Sequence, residues 1–147
     1  MRLIIQRVNQ ASVKVVKTGQ IAGKIEKGLF VLVGVKKGDT LKQAENLANK
    51  LTKLRIMADE NEKMNLSVGN AGGKILAVSQ FTLYATTQGG NRPSFLQAEI
   101  PQQAEKIYNH FVMTLRNLGI QVETGSFGDY MKIKANLDGP VTIILES

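Results

Sequence analysis

The stretch GLFVLVGVKKGDTLKQAENLANKLTKL, residues 28–54, carries a strand and a helix in immediate succession. Leu29 to Val35 is apolar at nearly every position, which suits a strand buried on both faces, and Lys36-Lys37-Gly38-Asp39 closes it with turn residues. Thr40, followed three residues later by Gln43, matches a capping box, in which hydroxyl and amide satisfy orphaned backbone N–H groups at a helix start. Leu41, Ala44, Leu47, Ala48, Leu51 and Leu54 then recur at helical spacing, forming one apolar stripe that needs a core to cover it.

Upstream, Leu3–Val8, the alternation through Val13 and Val15 to Thr18-Gly19, and Ile21–Ile25 read as short strands of an antiparallel meander. Downstream, Arg55–Ala58 and Met64–Val68 flank the turn-rich residues 59–63 as a hairpin, and Lys74–Tyr84 reads as one long strand. After a loop through Gly89-Gly90-Asn91-Arg92-Pro93, Pro101 opens a second helix. Its inner face carries Ala104, Ile107, Tyr108, Phe111, Leu115 and Leu118, and Gly119 stops it. Strands around Ile120–Thr124, Met131–Ala135 and Val141–Leu145 complete the chain. Strands outnumber helices and mostly follow one another. The predicted class is therefore α+β: a largely antiparallel, barrel-like sheet with two main helices, in a single domain over residues 1–147.

Nineteen Lys and Arg against twelve Asp and Glu give a net charge of +7. Such a surface suits polyanionic partners, nucleic acid first, or simply keeps a protein soluble. Lys36, Lys37, Lys50 and Lys53 are candidate phosphate contacts. The run Leu29–Val35 is far short of the ~20 residues that span a bilayer, and MRLIIQRVNQ lacks a secretory h-region, so no membrane partner and a cytoplasmic location are expected. The chain has no cysteine, which removes disulfides and thiolate nucleophiles.

Nucleophilic triads need an imidazole beside the hydroxyl, and the one histidine, His110, falls on the polar side of the second helix. The acidic residues Asp59, Glu60 and Glu62 lie in a turn, where solvation explains their charge. Gly69-Asn70-Ala71-Gly72-Gly73 joins two strands and opens no helix, so phosphate-loop and dinucleotide patterns are unmet. What remains is Ser79-Gln80-Phe81-Thr82 at a strand end. Hydroxyl, amide and main-chain N–H groups there could hold a carbonyl and stabilise an oxyanion, or could merely satisfy local backbone groups. Gly139-Pro140, taken alone, reads as a turn with a trans bond, since only ~5–6% of X–Pro bonds are cis.

Six segments appear together and in order: IQRV at Ile5–Val8, LRI at Leu54–Ile56, KMN at Lys63–Asn65, VSQFTL at Val78–Leu83, RPSF at Arg92–Phe95 and NLDGPVT at Asn136–Thr142. Over essentially its whole length the chain thereby resembles the bacterial D-aminoacyl-tRNA deacylases, most specifically through SQFT and GPVT. The resemblance implies hydrolysis of the ester of D-aminoacyl-tRNA without metal or cofactor, with Ser79, Gln80, Phe81 and Thr82 lining the pocket for the aminoacylated 3′ end. Thr82 lacks an evident base and is assigned to positioning, while the Phe81 N–H region would stabilise the oxyanion and the ribose 2′-OH would help to activate water.

The resemblance further implies that Gly139-Pro140 is cis and enters the pocket of a homodimer partner, excluding L side chains there. Glycine, having no side chain to exclude, would pass, which makes glycyl-tRNA(Ala) an expected substrate. Arg7 resembles the arginine that orients Gly139-Pro140, and Ala98 and Phe127 resemble pocket-lining positions. The competing readings are a basic tRNA-binding module without catalysis and a small-molecule esterase using Thr82.

Overall fold

In the computed structural model, which describes residues 1–147, the strand β1 (Arg2–Val15) is the element on which the sheet is assembled. Its first half pairs antiparallel with β3 (Gly28–Gly34) and its second half with β2 (Ile21–Ile25). Because residues paired to β3 also pair with β8 (Met131–Glu146), β8 must run along the opposite edge of β1. On the far side of β3 lie β6 (Lys74–Ser79) and then β7 (Val122–Thr124), both in parallel register. Gly23 of β2 approaches the β7 backbone so closely that an added Cβ would overlap the Thr124 carbonyl oxygen, so the six-stranded sheet curls until its ends nearly meet.

The class is the expected one: a barrel-like sheet with two helices. The two parallel pairings depart from the meander: α1 (Leu41–Lys53) and the hairpin β4 (Met57–Ala58) to β5 (Met64–Leu66) make the crossover from β3 to β6, and a second helix makes the one from β6 to β7. At the start of α1 the Gln43 side chain accepts from the Thr40 N–H at 2.9 Å, which is the reciprocal half of the capping box. Helix α2 (Pro101–Asn117) begins on its proline and is stopped by Gly119, whose φ of +85° a side chain would resist. His110 sits at the seam of the two helices, its Nε2 2.8 Å from Glu45.

β3 is buried on both faces, as its sequence predicts. Leu29, Val31 and Val33 join Leu47, Leu51, Ile107 and Phe111 in the core beneath the helices. Phe30 points the other way, into a smaller core inside the curled sheet with Ala11, Val13, Ile25, Leu76 and Val78. In the β4–β5 turn, the Asp59 carboxylate accepts from Lys63 N, Asn61 N and Asn65 Nδ2. The Lys63 bond leads in holding it below the usual carboxylate range.

Several expected boundaries move. Leu3–Val8 and the alternation through Val13 and Val15 are one strand, β1, and the hairpin strands shorten to Met57–Ala58 and Met64–Leu66. Lys74–Tyr84 is not one strand: β6 ends at Ser79 and Phe81–Tyr84 forms a single 3₁₀ turn. Ile120 and Gln121 precede β7 as connection. Met131–Ala135 and Val141–Leu145 are one strand, β8, whose register slips between Leu137 and Thr142, and Gly139-Pro140 occupies that irregularity. No helix is long and apolar enough to cross a membrane.

Candidate active site

The end of β6 and the start of β8 are two walls of a cavity of about 650 Å³, whose lining includes Ser79, Gln80, Phe81, Phe95, Ala98 and Phe127. Gln80 leaves the strand with its N–H still donating to the Val33 carbonyl at 2.8 Å, and the chain then tightens into the 3₁₀ turn. As the first residue of that turn Phe81 has no intrahelical acceptor for its N–H, so the group is free to meet a ligand oxygen. The exposed Phe81 ring packs edge-on against Phe95, with centroids 5.0 Å apart. On the opposite wall Phe127 is backed by Tyr108, at a centroid distance of 6.0 Å. The Tyr108 hydroxyl in turn donates to the Ala77 carbonyl at 2.9 Å, fixing both rings to β6. Burial raises the pKa of that hydroxyl well above its ordinary range.

Of the residues read from sequence, Ser79, Gln80, Phe81, Ala98 and Phe127 come together here. Thr82 does not line the cavity. Its hydroxyl accepts from Gln80 Nε2 at 2.5 Å, and no histidine or carboxylate bonds to it, so it lacks a base and is suited to orienting the Gln80 amide. Lys36 bridges to Ala98, and Lys37 N donates to the Gln97 carbonyl, which puts both beside the cavity rim; Lys50 and Lys53 lie on α1.

Arg7, Gly139 and Pro140 do not line this cavity within the chain. They form a second assembly on β1 and β8. The Gly139–Pro140 peptide bond is cis, and Gly139 has a φ of +120°. The buried Arg7 guanidinium lies alongside, its Nη1 donating to the Ile56 carbonyl at 3.1 Å and its Nε 2.8 Å from Asp138 Oδ2. That last contact is off-line, leaving the Nε hydrogen without a well-directed acceptor, so it is an ion pair more than a hydrogen bond. Asp138, which sequence reasoning passed over, thus ties the segment before Gly139 to β1; its place in NLDGPVT was the available signal. Tyr130, Met131 and Ile133, which also line the cavity, had no signal beyond their position in a strand.

The sequence model of the family described as D-Tyr-tRNA(Tyr) deacylase matches residues 4–146. The D-aminoacyl-tRNA deacylase of Koribacter versatilis (strain Ellin345) is 52% identical over 147 residues, covering 100% of this chain and 97% of that protein. The one from Brevibacillus brevis (strain 47) is 50% identical and covers 100% of both. Among solved structures, the c-Myc DNA Unwinding Element Binding Protein is 40% identical, with a TM-score of 0.92 over 100% of this chain and 99% of its own. A probable eukaryotic D-amino acid tRNA deacylase, 16% identical, shares the fold at a TM-score of 0.83 over 98% and 97%.

Proposed function

The chain belongs to the D-Tyr-tRNA(Tyr) deacylase family and is a hydrolase, a D-aminoacyl-tRNA deacylase; on that premise we propose how its residues select and cleave the ester. The aminoacylated 3′ end enters the cavity with its ester carbonyl oxygen toward the Phe81 N–H. Water attacks the carbonyl carbon, and the Phe81 N–H stabilises the tetrahedral oxyanion. The carbon–oxygen bond to the ribose then breaks, and the adjacent 2′-OH relays the proton of water to the departing 3′-oxygen. Free amino acid and tRNA leave. Ser79 and Gln80 hold the carbonyl and ribose, and Thr82 orients Gln80.

Selection against L-amino acids comes from Gly139-Pro140 of a second subunit. The observation that carries this reading is the separation within one chain: the cavity has no Gly139-Pro140 of its own, while that segment stands on a strand built for pairing. β8 has β1 as its only partner strand, none of its 16 residues is buried, and Ile133, Leu137 and Ile144 are exposed along it. A long free edge with apolar side chains is a surface that a second copy would cover. In a symmetric pair each subunit's Gly139-Pro140 reaches the other's cavity, with Arg7 and Asp138 holding it in orientation. Main-chain atoms set against the α-carbon leave no room for an L side chain but admit any D side chain, and also glycine, so glycyl-tRNA(Ala) is a substrate too.

The test is amino-acid release from D-tyrosyl-tRNA and L-tyrosyl-tRNA by the protein and by its Gly139→Ala/Pro140→Ala variant. The protein should cleave only the D ester and the variant should lose the preference. A variant that remains as selective as the parent would overturn the exclusion mechanism.

A further inference from the structure

The register of the sheet gathers lysines that are scattered in sequence. Lys14 of β1 stands directly opposite Lys132 of β8, and Ser12 stands opposite Lys134 on one side and Lys24 of β2 on the other. Cross-strand partners, and alternate residues along a strand, share one face of a sheet, so all four lysines surround Ser12 on the outer face. The inner face at the same place is apolar and buried, through Ala11 and Val13.

All four lysines are exposed, and none is paired. The four ion pairs of the structure use the Met1 ammonium, Arg2, Arg7 and His110. Glu26, two residues beyond Lys24 on the chain, makes no ion pair either. Lys14 and Lys132 are directly opposed like charges, which work against a sheet, and an anion over the face would relieve them.

The face meets the cavity only around the edge strand β8. Met131 and Ile133 alternate with Lys132 and line the cavity from the opposite face, whereas the rim residue Tyr130, two residues before Lys132, is tied to the end of β1 by Val16 N donating to its carbonyl at 2.9 Å. We propose that Lys14, Lys24, Lys132 and Lys134 form the phosphate-binding surface for the acceptor stem of the tRNA whose aminoacylated end occupies the cavity. The inference rests on the deacylase reading of that cavity. Four unpaired cations beside an RNA 3′-end site match a ladder of phosphates, each of which releases counterions when neutralised. The same charges disfavour contact between two copies of this face, so a second copy would cover the edge of β8 and its opposite face, where Ile133 and Leu137 pair with the buried Val13 and Val8, and leave the lysines open.

The experiment replaces the four lysines with alanine, alongside a control variant carrying Lys42→Ala on α1. Affinity for uncharged tRNA and kcat/KM for D-tyrosyl-tRNA are measured from about 50 to 200 mM salt. The four-lysine variant should raise Kd and KM at least tenfold at low salt, with kcat within twofold. Its log–log salt dependence should be shallower by roughly 0.9 per lost phosphate contact, about 3.6 for all four. Cleavage of D-tyrosyl-adenosine, which lacks the stem, should not change, and the α1 control should match the parent.

An unchanged salt slope overturns the inference, as does an equal loss on D-tyrosyl-adenosine or a larger effect from the α1 control. If the fourfold variant fails to fold, Lys14→Gln/Lys132→Gln gives the same reading with half the slope change. If the parent does not cleave the D ester at all, the deacylase reading fails, and the affinity for uncharged tRNA still decides whether this face binds RNA.

Discussion

Arg7 is the residue whose removal reports most directly on how Gly139-Pro140 is held. Its side chain is 10% exposed and its guanidinium ion-pairs with an Asp138 side chain that is 35% exposed. In Arg7→Ala the Ile56 carbonyl loses its donor and Asp138 its countercharge. Breaking a buried pair by removing one partner costs ~3–5 kcal/mol, and stranding a buried hydrogen-bond partner ~1–3 kcal/mol. Asp138 can recover water, so the loss falls to about 2–4 kcal/mol. For a chain of this size each kcal/mol moves Tm by ~2–4 °C, which gives a drop of roughly 5–15 °C. Thermal unfolding followed by circular dichroism at one fixed protein concentration measures it, since the proposed assembly would make Tm depend on concentration. The same protein should show a D-to-L preference at least tenfold weaker in the deacylation assay. Arg7→Lys should fall between, because an ammonium cannot bridge Ile56 and Asp138 with a planar fork. A Tm within 2 °C of the parent together with unchanged selectivity would refute the role given to Arg7.

Gly139→Ala should lose selectivity while still cleaving esters: a Cβ there would sit 2.8 Å from Val141 N and Val141 Cγ2 at a φ of +120°. A strained backbone of this kind costs ~1–3 kcal/mol, visible in denaturant unfolding. Phe81→Pro removes one N–H at a first-turn position that proline fits, and should lower kcat by ~10²–10³ with the fold retained, whereas Thr82→Ala should stay within about tenfold of the parent in single-turnover assays. Burial, with Asp39 adding to it, pushes the Tyr84 hydroxyl up to about 12. A folded pKa above the unfolded value near 10 gives stability that is complete below pH 10 and is lost as pH rises from about 10 to 12. Denaturant midpoints over that range should fall less steeply for Tyr84→Phe than for the parent.

Helices and buried strands were the legible part of the fold because their signals are local. The Thr40–Gln43 cap and the apolar stripe of α1, Pro101 and Gly119 around α2, and the run Leu29–Val35 each act within a few residues. Strand order was not legible. That β6 lies parallel beside β3, and β7 beside β6, depends on crossovers whose contacts are distant in sequence. The end of β6 at Ser79 depends on the turn at Phe81–Tyr84, which no glycine or proline announces. At the site, Ser79-Gln80-Phe81 stood out through the SQFT resemblance more than through its chemistry, and Phe95, Tyr130 and Met131 reach the cavity only through folding. The lysine face is the clearest case of distance: Lys14, Lys24, Lys132 and Lys134 meet only because β1 pairs with both β2 and β8.

The most direct measurement of the claim that selectivity acts across subunits uses two variants mixed and refolded together. One carries Gly139→Ala/Pro140→Ala with an intact cavity; the other carries Phe81→Pro with an intact Gly139-Pro140. Release from D-tyrosyl-tRNA and L-tyrosyl-tRNA is followed for each variant alone and for the mixture. If Gly139-Pro140 enters the partner's cavity, mixed pairs contain one complete site, and the mixture gains D-selective cleavage that neither variant has alone. If the mixture shows only the weighted sum of its two components while pairs are seen to form, Gly139-Pro140 does not act across the interface.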